Sequence, residues 1–368
     1  MIRSRPILAA LALALMAPLC QGADAVKSPE VSADGRITFR YADAGAKEVL
    51  VSVANIADPL PLSKKDGVWS VTTPPMAPET YWYSFSIDGR PGLDPANPDV
   101  RPNLVYLDSF VTVPSSTPEP WDEQDIPHGI VHQHHYTTHV VQGLAGNHSE
   151  FCVYTPPGYD PSAAQPYPVL YLLHGYGSDA ESWITLGHAE RILDSLIAAR
   201  KAKPMVVVMP FGYGDMTILK DYDSHVDKND ELFVQALLTE VMPQAEAAYH
   251  VSREGKGRAL AGLSMGGDQS IRIGLRHPEL FSFVGCMSGA SDFVLAAAGR
   301  GDYDGAKNVR LLWIGSGTNE GDGLTNAHAL AATLARHGFS PVGFDTPGMH
   351  VWPVWHRDLI DLAPRLFQ

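Results

Sequence analysis

The chain has 368 residues, enough for two domains, and its 45% hydrophobic and 18% charged content is that of a globular protein. The formal charge of −14, without a basic stripe, argues against nucleic acid and anionic membrane surfaces as partners.

At the N-terminus, Arg3 and Arg5 precede an apolar run from Ile7 to Ala17 that is too short to span a bilayer. Gly22, Ala23 and Ala25 follow. The pattern predicts a cleaved secretory signal peptide over residues 1–25, hence a periplasmic or extracellular protein. Cys20 follows Leu19, a poor residue for lipoprotein processing, so no lipid anchor is expected. Cys152 and Cys286 lie in the apolar runs EFCVYT and FVGCMSG and are expected as buried free thiols.

Residues 26–114 read as short alternating strands: GRITFRY, KEVLVSV, KKDGVWSVT with a turn at Asp66-Gly67, and TYWYSFSIDG ending at Asp88-Gly89. They predict a small immunoglobulin-like β-sandwich. Trp69 and Trp82 fall in strand patterns, where core burial is expected, so the unit should stabilise the protein or shape an active-site rim rather than bind starch-like glycans. Residues 115–140, proline-rich and acidic at first, read as a linker. Its histidines (His128, His132, His134, His135, His139) lack metal-ligand spacing, and no metal site is expected. In an extended segment His132 and His134 share a face opposite His135.

From residue 141 to 368 the pattern becomes strand–helix alternation. YPVLYLLHGYG, PMVVVMP, GRALAGLSMGG, FSFVGCMSG and VRLLWIGSG are buried strands with helical segments such as NDELFVQALLTEVMPQAEAAY between them. The prediction is a mainly parallel sheet wrapped on both faces, which the serine motif inside GRALAGLSMGG narrows to an α/β-hydrolase fold.

Gly262-Leu263-Ser264-Met265-Gly266 is a G-x-S-x-G between a buried strand and a helix. A turn tight enough to lift Ser264 above the sheet needs residues without side chains on either side, which explains Gly262 and Gly266. A serine hydroxyl needs a base. In this topology the base follows the last strand, GFDTPGMH, which gives His350; His356 reads as an exposed residue starting the closing helix. The acid belongs after VRLLWIGSG, where the loop offers Glu320 and Asp322; Asp322 is preferred because it leads directly into a helix. The oxyanion donors are expected to be the amides of Met265 and Tyr176, with His174 bracing the latter's loop. Trp352, Trp355, Trp183 and Phe211 are candidate pocket aromatics.

The segments YTPPGYD, YLLHGYG, AGLSMGG, LLWIGSGT and TPGMHVWPVW resemble the secreted esterases of carbohydrate esterase family 1, which includes feruloyl and acetylxylan esterases. VSADGRITFRY, DGVWSVTT and LDPANPDVRPN resemble the family-48 carbohydrate-binding module that precedes the catalytic domain in a subset of them, and WDEQDIPHGIVHQHHY resembles the junction. The resemblance implies Ser264 as nucleophile, His350 as base and no cofactor. It also implies a plant cell-wall polysaccharide as partner, in particular feruloyl esters of arabinoxylan. The family commonly carries one aspartate after G-T-x; GTNEGDGL departs from that and leaves Asp322 and Glu320 both open. Acetylxylan and ferric-siderophore hydrolysis are the alternative activities. A carbohydrate-binding protein with a relict hydrolase fold is the non-enzymatic alternative, against which the intact Ser264 and His350 stand.

Overall fold

The computed structural model describes residues 26–101 and 103–368; the signal-peptide reading and Cys20 lie outside them. The first part is two antiparallel sheets packed face to face. One contains β1 (Ile37–Ala42) and, after β2 (Val49–Val53) has crossed to the other sheet, β3 (Val68–Thr72). The second sheet is built on β2, β4 (Glu79–Ile87) and β5 (Asp108–Val113). Strand alternation sends Tyr81, Tyr83 and Phe85 into the core with Ile37, Phe39 and Val51. Asp66-Gly67 and Asp88-Gly89 both have positive φ (51° and 81°, 48° and 79°), as tight hairpin turns require. Trp69 is buried, its indole N–H donating to the Asp43 carbonyl at 2.9 Å. Trp82 departs from expectation: lying between Tyr81 and Tyr83, it points to the opposite face and is only half-buried.

The second part is an eight-stranded sheet. In chain order its strands are β6 (Ile130–Thr137), β7 (His148–Thr155), β8 (Val169–Leu173), β9 (Val206–Pro210), β10 (Arg258–Leu263), β11 (Phe283–Met287), β12 (Leu311–Gly317) and β13 (Pro341–Thr346). The spatial order is β6-β7-β9-β8-β10-β11-β12-β13, antiparallel at β6–β7 and β7–β9 and parallel beyond. Every residue of β8 to β11 is buried, which is why these strands read as continuous apolar runs. This is the α/β-hydrolase fold, preceded by a small β-sandwich.

Residues 130–137 are not linker, contrary to the reading of 115–140. They form the edge strand β6, and the run of histidines is a strand alternation. His134 stacks on Phe151 at 4.7 Å and meets the Tyr249 hydroxyl at 2.6 Å, His132 lies on the same side against Tyr249, and His135 faces Glu150. Cys152 and Cys286 are buried free thiols, and burial pushes both up to about 12.

The closing helix, Trp352–Leu362, carries a second correction. His356 is fully buried rather than exposed, because the sandwich covers it. Its Nδ1–H donates to Glu79 Oε1 (2.9 Å), its Nε2–H to the Leu186 carbonyl (2.8 Å), and Trp121 stacks on the ring at 5.1 Å. Arg357 donates to the other Glu79 oxygen at 3.0 Å. Burial works to raise the Glu79 pKa, but His356 and Arg357 outweigh it and hold the carboxyl below its ordinary 4.5. A depressed carboxyl contributes stability that is present above pH 4.5 and lost as pH falls through the folded-state pKa. His356→Ala strands Glu79 in the interface and is expected to cost about 3–5 kcal/mol, toward the lower end because Arg357 remains. A melting curve at neutral pH checks this; an unchanged Tm would contradict it.

Candidate active site

β10 ends at Leu263, and Ser264 (φ 52°, ψ −119°) turns the chain into the helix Met265–Gly274. The strain is held by packing that leaves no room for side chains. A Cβ on Gly262 would come within 2.6 Å of the Gly266 backbone, and one on Gly266 within 2.5 Å of the His174 carbonyl. Met265 is the first helical residue, and its amide has no intrahelical partner.

The loop after β13 brings His350 to Ser264. The Ser264 hydroxyl donates to His350 Nε2 at 2.9 Å, and His350 Nδ1–H donates to Glu320 Oε2 at 2.9 Å. The carboxylate in this line is therefore Glu320, and the preference for Asp322 is corrected. Asp322 is exposed in the first turn of its own helix, Asp322–Arg336, where the helix dipole suits a carboxylate. Glu320 sits two residues earlier in the turn and is held from behind. The Gly317 amide (2.7 Å) and the Ser288 hydroxyl (2.6 Å) both donate to its Oε1. Burial works to raise its pKa, but His350, Ser288 and Gly317 prevail, and the carboxyl lies below the ordinary glutamate value.

Ser288, which no sequence pattern marked, is itself in a left-handed conformation (φ 51°) and accepts the Trp355 indole N–H at 3.2 Å.

The loop His174–Gly177 flanks the nucleophile from the other side: a Cβ on Gly175 would come 3.2 Å from Ser264 Cβ. His174 is buried and braces the loop. Its Nδ1–H donates to the Gly175 carbonyl (2.8 Å) and its Nε2 accepts the Gly212 amide (2.8 Å). That bonding requires the neutral ring, which burial also favours. With the Gly175 carbonyl held on one side, the trans peptide points the Tyr176 N–H the opposite way.

A cavity of about 460 Å³ opens onto Ser264 and His350. Tyr176, Trp352 and Trp355 line it from the hydrolase part, Trp355 meeting the His350 ring edge-on at 5.0 Å. Its other wall comes from the sandwich: Ser52 of β2, Trp82 and Ser84 of β4, and Tyr106. Ser52, Ser84 and Tyr106 were missed, and for Tyr106 the signal was the unalternating run Leu104–Leu107, which stays exposed. Two candidate aromatics are not in the wall. Trp183 is buried beneath it, bonded to the Leu173 carbonyl (2.9 Å) and edge-on to Trp352. Phe211 packs on Tyr213 at 5.1 Å.

Residues 144–366 match the Esterase family. The chain belongs to that family. It is 31% identical over 348 residues to an endo-1,4-β-xylanase/feruloyl esterase of Xylanibacter ruminicola, the match covering 92% of this chain and 46% of the relative. The chain thus spans about half the length of that relative. Among solved structures it resembles the enterochelin esterase of Shigella flexneri (TM-score 0.70, 19% identity, 92% of this chain and 95% of the other). It also resembles a carbohydrate esterase family 1 ferulic acid esterase of Anaeromyces mucronatus (TM-score 0.59, 22% identity, 68% and 96%). At such identities the likeness is one of fold.

Proposed function

We propose that this esterase hydrolyses feruloyl and related hydroxycinnamoyl esters carried on plant cell-wall arabinoxylan, and that it acts in the periplasm or outside the cell. The observation that carries the substrate class is the aromatic-walled cavity of about 460 Å³ beside Ser264, suited to a planar phenolic acyl group. The name of the Xylanibacter relative and the signal-like N-terminus support the rest.

In this reading Ser264 Oγ attacks the ester carbonyl carbon while its proton passes to His350 Nε2. Glu320 holds the imidazole in the required tautomer and stabilises the imidazolium. The developing oxyanion lies between the Met265 and Tyr176 amides. When the tetrahedral intermediate collapses, the bond to the sugar oxygen breaks and His350 returns the proton to that oxygen. Water, deprotonated by His350, then attacks the acyl-serine, and the carboxylic acid leaves with Ser264 restored.

Ferric-siderophore hydrolysis is the second reading, favoured by the enterochelin esterase fold that covers both parts of the chain. Offering methyl ferulate, feruloylated arabinoxylan oligosaccharides, acetylated xylan and a ferric siderophore to one preparation separates the readings. The expected result is the highest kcat/KM on the two feruloyl substrates; a preference for the siderophore or for acetyl release would overturn it.

A further inference from the structure

Both loops that carry the chemistry are tied by hydrogen bonds to the β-sandwich. Asn55 lies just past β2 in a left-handed conformation (φ 64°) that asparagine tolerates better than most residues. Its Oδ1 accepts the amide of Met349 at 3.0 Å, and Met349 immediately precedes His350. Its side chain also lies against Gly348, where a Cβ would come 3.3 Å from the same oxygen.

The second tie is on the other loop. The Leu104 amide donates to the Gly177 carbonyl at 2.6 Å, one residue past the Tyr176 amide. The Gly177 amide in turn donates to the Tyr213 hydroxyl at 2.7 Å, so the two peptides that meet at Gly177 are each held. Asn103 shapes the sandwich's side of the contact: its Oδ1 accepts the amides of Val105 (2.8 Å) and Tyr106 (2.7 Å). It packs on Gly177 so closely that a Cβ there would meet Asn103 Oδ1 at 2.9 Å. The Asn103 amide nitrogen is buried without a partner, so the carbonyl oxygen is the atom that matters.

We infer that the β-sandwich is a positioning module for the catalytic centre, Asn55 setting the His350 loop and the Asn103–Leu104 turn setting the oxyanion loop. The inference rests on the proposed roles of Ser264, His350 and Tyr176. Its physical basis is that a proton relay and an oxyanion donor tolerate little displacement, an error of about 1 Å costing on the order of 100-fold in rate. Glu79, paired with His356 and Arg357 on the helix that follows the His350 loop, fixes the sandwich as the reference for both ties.

The side-chain chemistry supplies the test. Asn55→Gly keeps the positive φ and removes the acceptor, whereas Asn55→Asp keeps both. Asn103→Ala removes the acceptor, and Asn103→Asp keeps it and loses only the unpartnered nitrogen. The full-length variants are assayed on phenyl acetate, an ester too small to need the sandwich wall, with Tm and affinity for a phenylboronic acid measured alongside. Asn55→Gly and Asn103→Ala are each expected to lower kcat by about 10-fold or more, with KM within about 3-fold. The two Asp variants should recover most of the loss, with all four melting temperatures near that of the wild type. Asn55→Gly should also shift the acid limb of the pH–rate profile. Asn103→Ala should weaken boronate binding in step with kcat. Wild-type kcat in both acceptor-less variants, a rise in KM alone, or a loss that tracks Tm and is not recovered by Asp would each overturn the inference. Failure of the esterase reading looks different: the wild type itself would not turn over phenyl acetate, or Ser264→Ala would match it.

Discussion

Glu320→Gln is expected to lower kcat on a small aryl ester by up to about 10⁴-fold, while Asp322→Asn stays within a few-fold of wild type. The amide is nearly isosteric but can present an N–H to His350 Nδ1, which selects the wrong tautomer, and it cannot balance an imidazolium. The network behind Glu320 makes it the carboxylate that matters: the Gly317 amide and Ser288 hydroxyl fix one oxygen and leave the other for His350. Because Glu320 stays ionised below its ordinary 4.5, it does not set an acid limb that appears above that pH. Steady-state kinetics of the two variants check the assignment; equal losses, or a larger loss for Asp322→Asn, would contradict it.

Ser264→Ala and His350→Ala are expected to leave folded proteins with almost no esterase activity. Residual catalysis of about 10³–10⁴ over water can persist from the oxyanion hole and substrate binding. The two histidines of the last loop and helix separate cleanly in this assay. His350→Ala should keep its Tm and lose kcat. His356→Ala should lose Tm and, well below its melting temperature, keep kcat within a few-fold, because its partners are Glu79 and Leu186 rather than Ser264. Circular dichroism with kcat/KM on the same preparations distinguishes the two; a dead His356→Ala that is fully folded would mean the wrong histidine has been paired with Ser264.

What was legible in the sequence follows the range of the forces involved. Ser264 was readable because an elbow needs its glycines within two residues, and His350 because it follows the last strand. Glu320 and Asp322 lie in one loop, and the choice between them is made by Ser288, 32 residues away in the chain. His356 shows the same limit more sharply: its carboxylate partner lies 277 residues away, and only docking of the sandwich buries it. The histidine-rich strand β6 was legible as an extended segment with alternating faces but not as part of the sheet, since an edge strand has one neighbour and no continuous apolar run. Trp82 was assigned to the core by residue type, whereas its register on β4 sends it to the catalytic cavity.

The most direct test of the serine mechanism is covalent. The protein is treated with a fluorophosphonate that reacts with activated serines, and intact and peptide masses are measured. One adduct on the peptide containing Ser264, absent in Ser264→Ala and strongly slowed in His350→Ala, is the result the Ser264–His350–Glu320 arrangement predicts. No adduct on the active enzyme, or an adduct on another serine such as Ser288 with Ser264 untouched, would contradict it.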